Sequence, residues 1–169
     1  MKAIFITNED IKRYSILDGN LDNDKFGQFV EIAQDIHVHS YLGTDLYNKL
    51  QALIIAGEVN DLGNEYYKTL LETYIKPMHI HWSIVEIMPY IAYTIANGGV
   101  YKHQSESSES ASMEEINSLK ESSRTTAQWY TERMINYLCE NSVDFPEYST
   151  NSGADIDPSH DQLTGGWVL

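Results

Sequence analysis

Two histidine pairs, His37-Val38-His39 and His79-Ile80-His81, are the residues here whose type could bind a metal. On a helix, ligands that share a face sit three or four residues apart, and a two-residue step turns them about 200° away from each other. Each pair could cooperate only on extended backbone, or if one histidine from each met across helices. No His-Glu-x-x-His run is present. The expected role is therefore polar edges of a buried bundle, hydrogen-bonded to neighbours. Cys139 is the one cysteine, so a single chain has neither an internal disulfide nor a thiolate zinc cluster. Glu86 is the one acid in a long apolar stretch. A buried general acid would have this setting, but a polar seam or a partner such as a histidine is the expectation. Ser105, Ser107, Ser108, Ser110 and Ser112 have no activating base nearby in sequence. Gly98-Gly99 reads as a helix end, not a phosphate cradle. The chain reads as a non-enzyme with no cofactor and no resident metal.

The bulk numbers point the same way. With 169 residues, 42% hydrophobic and 11% aromatic, the chain is long enough for one domain with a real core. The formal charge of -14 argues against gripping nucleic acid, which needs clustered Lys and Arg. It is compatible with surrounding DNA without holding it, since like charge keeps the polymer off a wall. A plain acidic soluble protein has the same balance. The apolar run Ala3 to Ile6 is too short for a signal-peptide core. Met78 to Ala96 is the one membrane candidate, but His79, His81, Glu86 and Pro89 make it a buried core helix instead. Among the 12 tyrosines, Tyr66, Tyr67, Tyr74, Tyr90 and Tyr93 should bring hydroxyls to the rim of a bundle, as interface or core residues.

The elements that would position these groups read as all-α: a bundle of about five helices with a long C-terminal helix and an extended tail. Thr7 caps a first helix that runs to about Leu17 and ends at Asp18-Gly19-Asn20. Asp22 or Asn23 caps the second, with Phe26, Phe29, Val30, Ala33 and Ile36 on one face. Gly43 breaks the chain and Thr44 caps the third, whose stripe is Leu46, Leu50, Leu53 and Ile54. The fourth starts near Asn64 and buries Tyr67, Leu70, Leu71 and Tyr74. Pro77 bends it or opens the next helix. From Met78 the apolar residues run all round, placing that helix at the centre, kinked at Pro89 and ended by Asn97-Gly98-Gly99. Val100 and Tyr101 read as a short extended piece. A polar loop, Lys102 to Ser112, precedes the last helix, which Ser112 and Glu115 open as a reciprocal capping box. Its inner face is Ile116, Leu119, Ala127, Tyr130, Met134, Tyr137 and Leu138. Running to about Glu140, it spans roughly 40 Å. The tail, Asn141 to Leu169, has no Lys or Arg and no core of its own, yet carries Phe145, Tyr148 and Trp167.

The order of these features resembles a known family. Ile32-Ala33-Gln34-Asp35-Ile36 through Tyr41-Leu42-Gly43-Thr44-Asp45-Leu46-Tyr47 is similar to the opening "helix, LGxxLY, helix" of phage head–tail connector (adaptor) proteins. Tyr74-Ile75-Lys76-Pro77, Pro89-Tyr90 and Asn97-Gly98-Gly99-Val100 resemble their core helix, particularly that of crAss-like phages. Tyr137-Leu138 followed by Phe145-Pro146-Glu147-Tyr148 fits the end. The resemblance covers about residues 1–148. It implies a helical adaptor domain over 1–148; the tail beyond it, residues 149–169, lies outside the resemblance and reads from its composition as an extended C-terminal arm. It also implies a structural virion protein that forms a homo-oligomeric ring, commonly of twelve subunits, beneath the portal vertex. Such a ring meets the portal protein and other neck or tail adaptors, and continues a channel that DNA crosses without specific binding. Localisation would be the virion neck, after assembly in the host cytoplasm, with no membrane contact. The expected portal or ring interface is Phe145, Pro146, Tyr148, Trp167, Val168 and Leu169. The loop expected to face the channel or an adjacent ring holds His103, Gln104, Glu106 and Glu109. The rival readings are an acidic regulatory or DNA-mimic binding module, and a small metalloenzyme built on the histidine pairs.

Overall fold

The computed structural model describes residues 2–7, 9–11, 23–91, 93–96, 99–102, 112–151 and 155–159. The body is an all-α bundle. Helix α1 (Asn23–Ala33) passes through a π-helical turn (Gln34–Val38) into α2 (His39–Leu42). After Gly43 come α3 (Thr44–Ala56), α4 (Glu65–Thr69), a second π-helical turn (Leu70–Ile75) and α5 (Lys76–Ile91). Strands β1 (Tyr93–Ala96) and β2 (Gly99–Lys102) form an antiparallel ribbon. The long helix α6 (Met113–Glu140) and a short α7 (Pro146–Thr150) complete the described elements. Among the described residues no helix is long and apolar enough to cross a membrane.

Helix α5 is apolar all round and sits at the centre. Met78, Ile80, Trp82, Ile84, Val85 and Ile87 are all buried. One side joins α3, α4 and α6 through a core that includes Leu46, Leu50, Leu70, Met134 and Leu138. The other forms a second cluster with Ile6, Phe26 and Val30. Helix α6 meets α5 through Ile116, Ala127, Thr131, Met134, Ile135 and Leu138, all buried. It starts as the sequence predicts: Glu115 N donates to Ser112 Oγ at 3.2 Å, and Ser112 N to Glu115 Oε2 at 2.7 Å. Leu119, predicted on the inner face, is 55% exposed on the flank of this stripe.

Two differences from the sequence reading come from the π turns. A π turn adds one residue to the helical ladder, so the face beyond it rotates. Gln34 and Val38 are buried as a result, and Ile36, expected inside, is 54% exposed. The second π turn directly precedes Pro77, where the missing N–H already interrupts the ladder. The chain crosses this second turn as one continuous helical path from α4 into α5. A third difference is the end of the core helix. It stops at Ile91, and the residues expected to extend it to Ala96 form β1 instead. The register pairs Ala96 with Gly99 across Asn97-Gly98, and Asn-Gly is the strongest short hairpin signal. Val100 and Tyr101, expected to be extended, lie in β2. Of the first helix, only its start, through Ile11, falls within the described residues, with Asp10 N donating to Thr7 Oγ1 at 3.2 Å and Ile11 N to the Thr7 carbonyl at 3.1 Å.

Backbone contributed by the N-terminal segment is held by two glutamine side chains. Gln34 Oε1 accepts from Phe5 N at 2.8 Å, and Gln51 Oε1 accepts from Ala3 N at 2.6 Å. Both amide nitrogens donate to the Ala3 carbonyl. The buried amides thus supply the partners that a sheet ladder would otherwise provide.

The tail is docked on its own body as far as it is described. Phe145 is fully buried, edge-on to Tyr67 at 5.6 Å. Tyr148 is buried as well, and Tyr67 Oη donates to Glu147 at 2.9 Å. Burial and this acceptor carboxylate push the Tyr67 hydroxyl pKa upward. Further on, Asn151 Oδ1 accepts from Asp45 N, and the Ile156 carbonyl accepts from Thr44 N at 3.0 Å. Ile156 N donates back to Thr44 Oγ1, and Ser159 N donates to the Ser40 carbonyl. Thr44 is therefore the first helical residue of α3, with its hydroxyl engaged by the tail; Gly43 holds the cap position. The Pro158 ring lies so close to Gly43 that a Cβ there would meet Pro158 Cγ at 2.6 Å. The arm expected to begin at residue 149 is thus tied down at Asn151 and over Asp155–Ser159.

Gly43 has φ +73° and ψ 162°, a conformation that only glycine adopts without strain. Gly43→Ala should cost about 1–3 kcal/mol from backbone strain alone, with the Pro158 clash added. Combining it with Pro158→Gly should recover the steric part only. Urea denaturation of the single and the double variant against the parent checks this. Phe145→Ala should lower the unfolding free energy by about 3–5 kcal/mol; a Phe145 left outside the core would lose almost nothing.

Candidate functional site: an arginine and aromatic groove on the long helix

The four histidines of the two pairs go to four different places. His37 Nε2 lies 2.8 Å from Glu86 Oε1, and its ring stacks on Trp82 with centroids 3.8 Å apart. Glu86 thus finds the histidine partner expected for it. His39 Nε2 is 3.0 Å from Thr44 Oγ1, and its ring stacks on Tyr47. His79 Nε2–H donates to the Val30 carbonyl at 2.9 Å, which leaves Nδ1 as a buried nitrogen with no hydrogen-bond partner among the described residues. His81 stacks on Tyr130. No three His, Cys, Asp or Glu side chains among the described residues converge on a metal-sized site. Each of the four rings is engaged by a different neighbour. Burial holds the pKa of His79 down at about 4. Burial also lowers His37, with Glu86 opposing it.

The surface offers a different kind of site. Trp129, Arg133 and Tyr137 follow one another at four-residue steps along α6, so they share one face. The second π turn brings Tyr74 against them. Tyr74 and Tyr137 stack with centroids 4.1 Å apart and planes 14° from parallel. The Arg133 guanidinium lies 4.7 Å from the Tyr74 ring centre and 5.9 Å from that of Trp129. With Glu132, Asn136 and Glu140 these residues line an open groove of about 350 Å³. Trp129 is 57% exposed beside it. Stacking on aromatic faces holds the guanidinium in place while its N–H donors remain available for a carboxylate or a carbonyl. Tyr137 also touches Phe145 edge-on at 5.8 Å, so the groove wall rests on the docked tail. Burial, and then Tyr74, Asp144 and Tyr66 nearby, raise the Tyr137 pKa, so its hydroxyl stays protonated at neutral pH.

A family model matches residues 38–158. The chain belongs to DUF6712, a family of unknown function. The DUF6712 span opens at the last residue of the first π turn and closes at Pro158, so it contains the groove and both sides of the Gly43–Pro158 contact. No curated protein and no solved structure matches the chain.

The residues singled out from sequence fare unevenly. Phe145 and Tyr148 are spent inside the protein's own core and are not free to anchor a partner, because Tyr67, Glu147 and Asn151 fix the segment that carries them. Pro146 is exposed as the first residue of α7, where its missing N–H costs nothing. Trp167, Val168 and Leu169 lie outside the described residues, as do His103, Gln104, Glu106 and Glu109. Trp129 and Arg133 were missed. Their four-residue spacing was readable, but only the fold shows that Tyr74 faces them.

The buried histidines make acid stability testable. His79 has a folded pKa near 4 against an unfolded value of 6.5, so the unfolded chain binds the proton first. Its contribution is intact above pH 6.5 and is lost as pH falls from 6.5 towards 4, by up to about 3 kcal/mol. His37 acts in the same direction. The lowered Asp10 carboxyl acts only below pH 3.8, outside this window. Unfolding free energies measured across pH 7 to 4 should decline, and more gently in His79→Gln.

Proposed function

We propose that this DUF6712 protein is a structural virion subunit: a head–tail adaptor that forms a ring beneath the portal of a tailed phage and continues its DNA channel. The observation that carries the reading is the exposed Trp129–Arg133–Tyr74 groove. Trp, Tyr and Arg are the residue types that dominate binding energy at protein interfaces. Here they are pre-stacked on one face of the longest helix, so little side-chain freedom remains to be lost on binding. In this reading the groove takes the portal contact. Other neck or tail proteins and further copies of the chain complete the assembly, in the host cytoplasm and then in the virion. The charge of -14 supports the channel role, since DNA passes an acidic wall without being held.

Mixing the protein with the portal of the same phage, followed by native mass spectrometry, tests this. Ring complexes are expected. Trp129→Ala and Arg133→Ala should each weaken portal binding by about 30-fold, the size of a hot-spot loss near 2 kcal/mol, with melting temperatures unchanged. A protein that stays monomeric and unbound with its portal would overturn the reading. If that protein also displaces DNA from a DNA-binding protein, the acidic DNA-mimic reading takes its place.

A further inference from the structure

Among the described residues, neither outer edge of the β1–β2 ribbon is paired with another strand. Among the described residues its sheet contains two strands, joined over four residue pairs from Tyr93↔Lys102 to Ala96↔Gly99. An isolated two-stranded hairpin is marginal in water, and each outer edge presents unpaired backbone groups. In a hairpin with a two-residue connection the closing pair, here Ala96 and Gly99, exchanges the hydrogen bonds. Alternation then turns the backbone N–H and C=O of Ile95 and Val100 outward, Ile95 on the β1 edge and Val100 on the β2 edge.

Charge says what belongs on these edges. Copies carrying -14 each repel one another over most of their surface. Yet from Ile87 to Ser105, between Glu86 and Glu106, the chain has no Asp or Glu. This is the longest acid-free stretch in a sequence with 25 acidic residues, and it contains the whole ribbon together with Lys102. Ribbon edges that meet one another therefore bring no carboxylate of either ribbon together.

We propose that the ribbon joins copies of this chain head to tail: the outer edge of β2 in one copy pairs with the outer edge of β1 in the next. This rests on the ring reading above and adds where the copies meet. Because β1 and β2 are antiparallel within a copy, cyclic symmetry makes β2 antiparallel to the β1 of its neighbour. One continuous antiparallel sheet results, and ring closure leaves no edge open. Pairing β1 with β1, or β2 with β2, would stop at dimers and leave two edges exposed.

Proline separates these arrangements. Ile95→Pro removes an outward donor from the β1 edge only, and Val100→Pro one from the β2 edge only, neither touching the ladder inside the ribbon. The parent protein with its portal should give rings. Each variant alone should fail to form them, and an equimolar mixture of the two should give a dimer, since each retains the edge the other lacks. That rescue also shows both variants are folded. Val100→Glu, which places an acid in the acid-free stretch, should block assembly as well, less so at high salt. Both proline variants assembling like the parent would overturn the ribbon contact and leave the adaptor reading standing. One variant dimerising alone would overturn the head-to-tail pairing. A parent that never assembles would remove the adaptor reading, and this inference with it.

Discussion

Trp82 is the point on which the arrangement of the bundle turns. Its indole N–H donates to Thr131 Oγ1 at 3.0 Å, and the Thr131 hydroxyl donates in turn to the Ala127 carbonyl at 2.8 Å. Its face carries the His37 ring, and His37 meets Glu86 one turn further along α5. One buried side chain thus sets α5, α6 and the first π turn relative to each other. An apolar residue at 82 would pack, but would leave the register between α5 and α6 to shape alone. A directional hydrogen bond fixes it, because an unmade bond in this interior costs more than a made one gains. Tyr74 and Arg133 can meet across the same helix pair only when that register holds.

The π turns belong to the same constraint. The first presents Gln34 inward, where its amide bridges Phe5, Ala3 and Tyr47, and points His37 at Glu86. A regular α-helix through these residues would rotate one of the two away. The second lies just before Pro77 and carries Tyr74 to the groove. Both distortions therefore coincide with places where a side chain has a fixed partner, which is where irregular helical turns are commonly found.

Much of the fold was legible in the sequence for reasons that can be named. Leu46, Leu50 and Leu53 fall at helical steps and are buried; Ser112 and Glu115 are the right types at the right spacing for a capping box, and form it. The π turns were not legible, because an added residue leaves each half of the apolar pattern intact and only changes the phase between them. The stop at Ile91 was not legible either. Tyr93 to Ala96 continue an apolar run that suits helix and strand alike, and Asn97-Gly98-Gly99 suits a helix cap as well as a hairpin. Phe145 and Tyr148 show a further limit. Large apolar residues in a polar tail signal docking, but composition does not say whether the surface they dock on is the chain's own.

The direction in which the tail folds also changes how the molecule is able to bind others. Residues Phe145 to Asn151 and Asp155 to Ser159, bound back on α2, α3 and α4, remove Phe145 and Tyr148 from the surface and brace Tyr137 from behind. Apolar groups that would have made a flexible arm sticky instead stiffen a groove. A stiff groove loses little entropy when a partner enters, whereas an arm must be ordered at that moment. In the proposed adaptor role, affinity would depend on a few pre-placed groups, with Arg133 held between Tyr74 and Trp129 as the group that sets orientation. On a chain carrying -14, that guanidinium is also a cation the rest of the surface does little to conceal from an approaching carboxylate, though Glu132 and Glu140 at the groove rim restrict the angle of approach. Specificity of this kind comes from the placement of one charge among like-charged neighbours, and it requires the rigid register that Trp82 supplies.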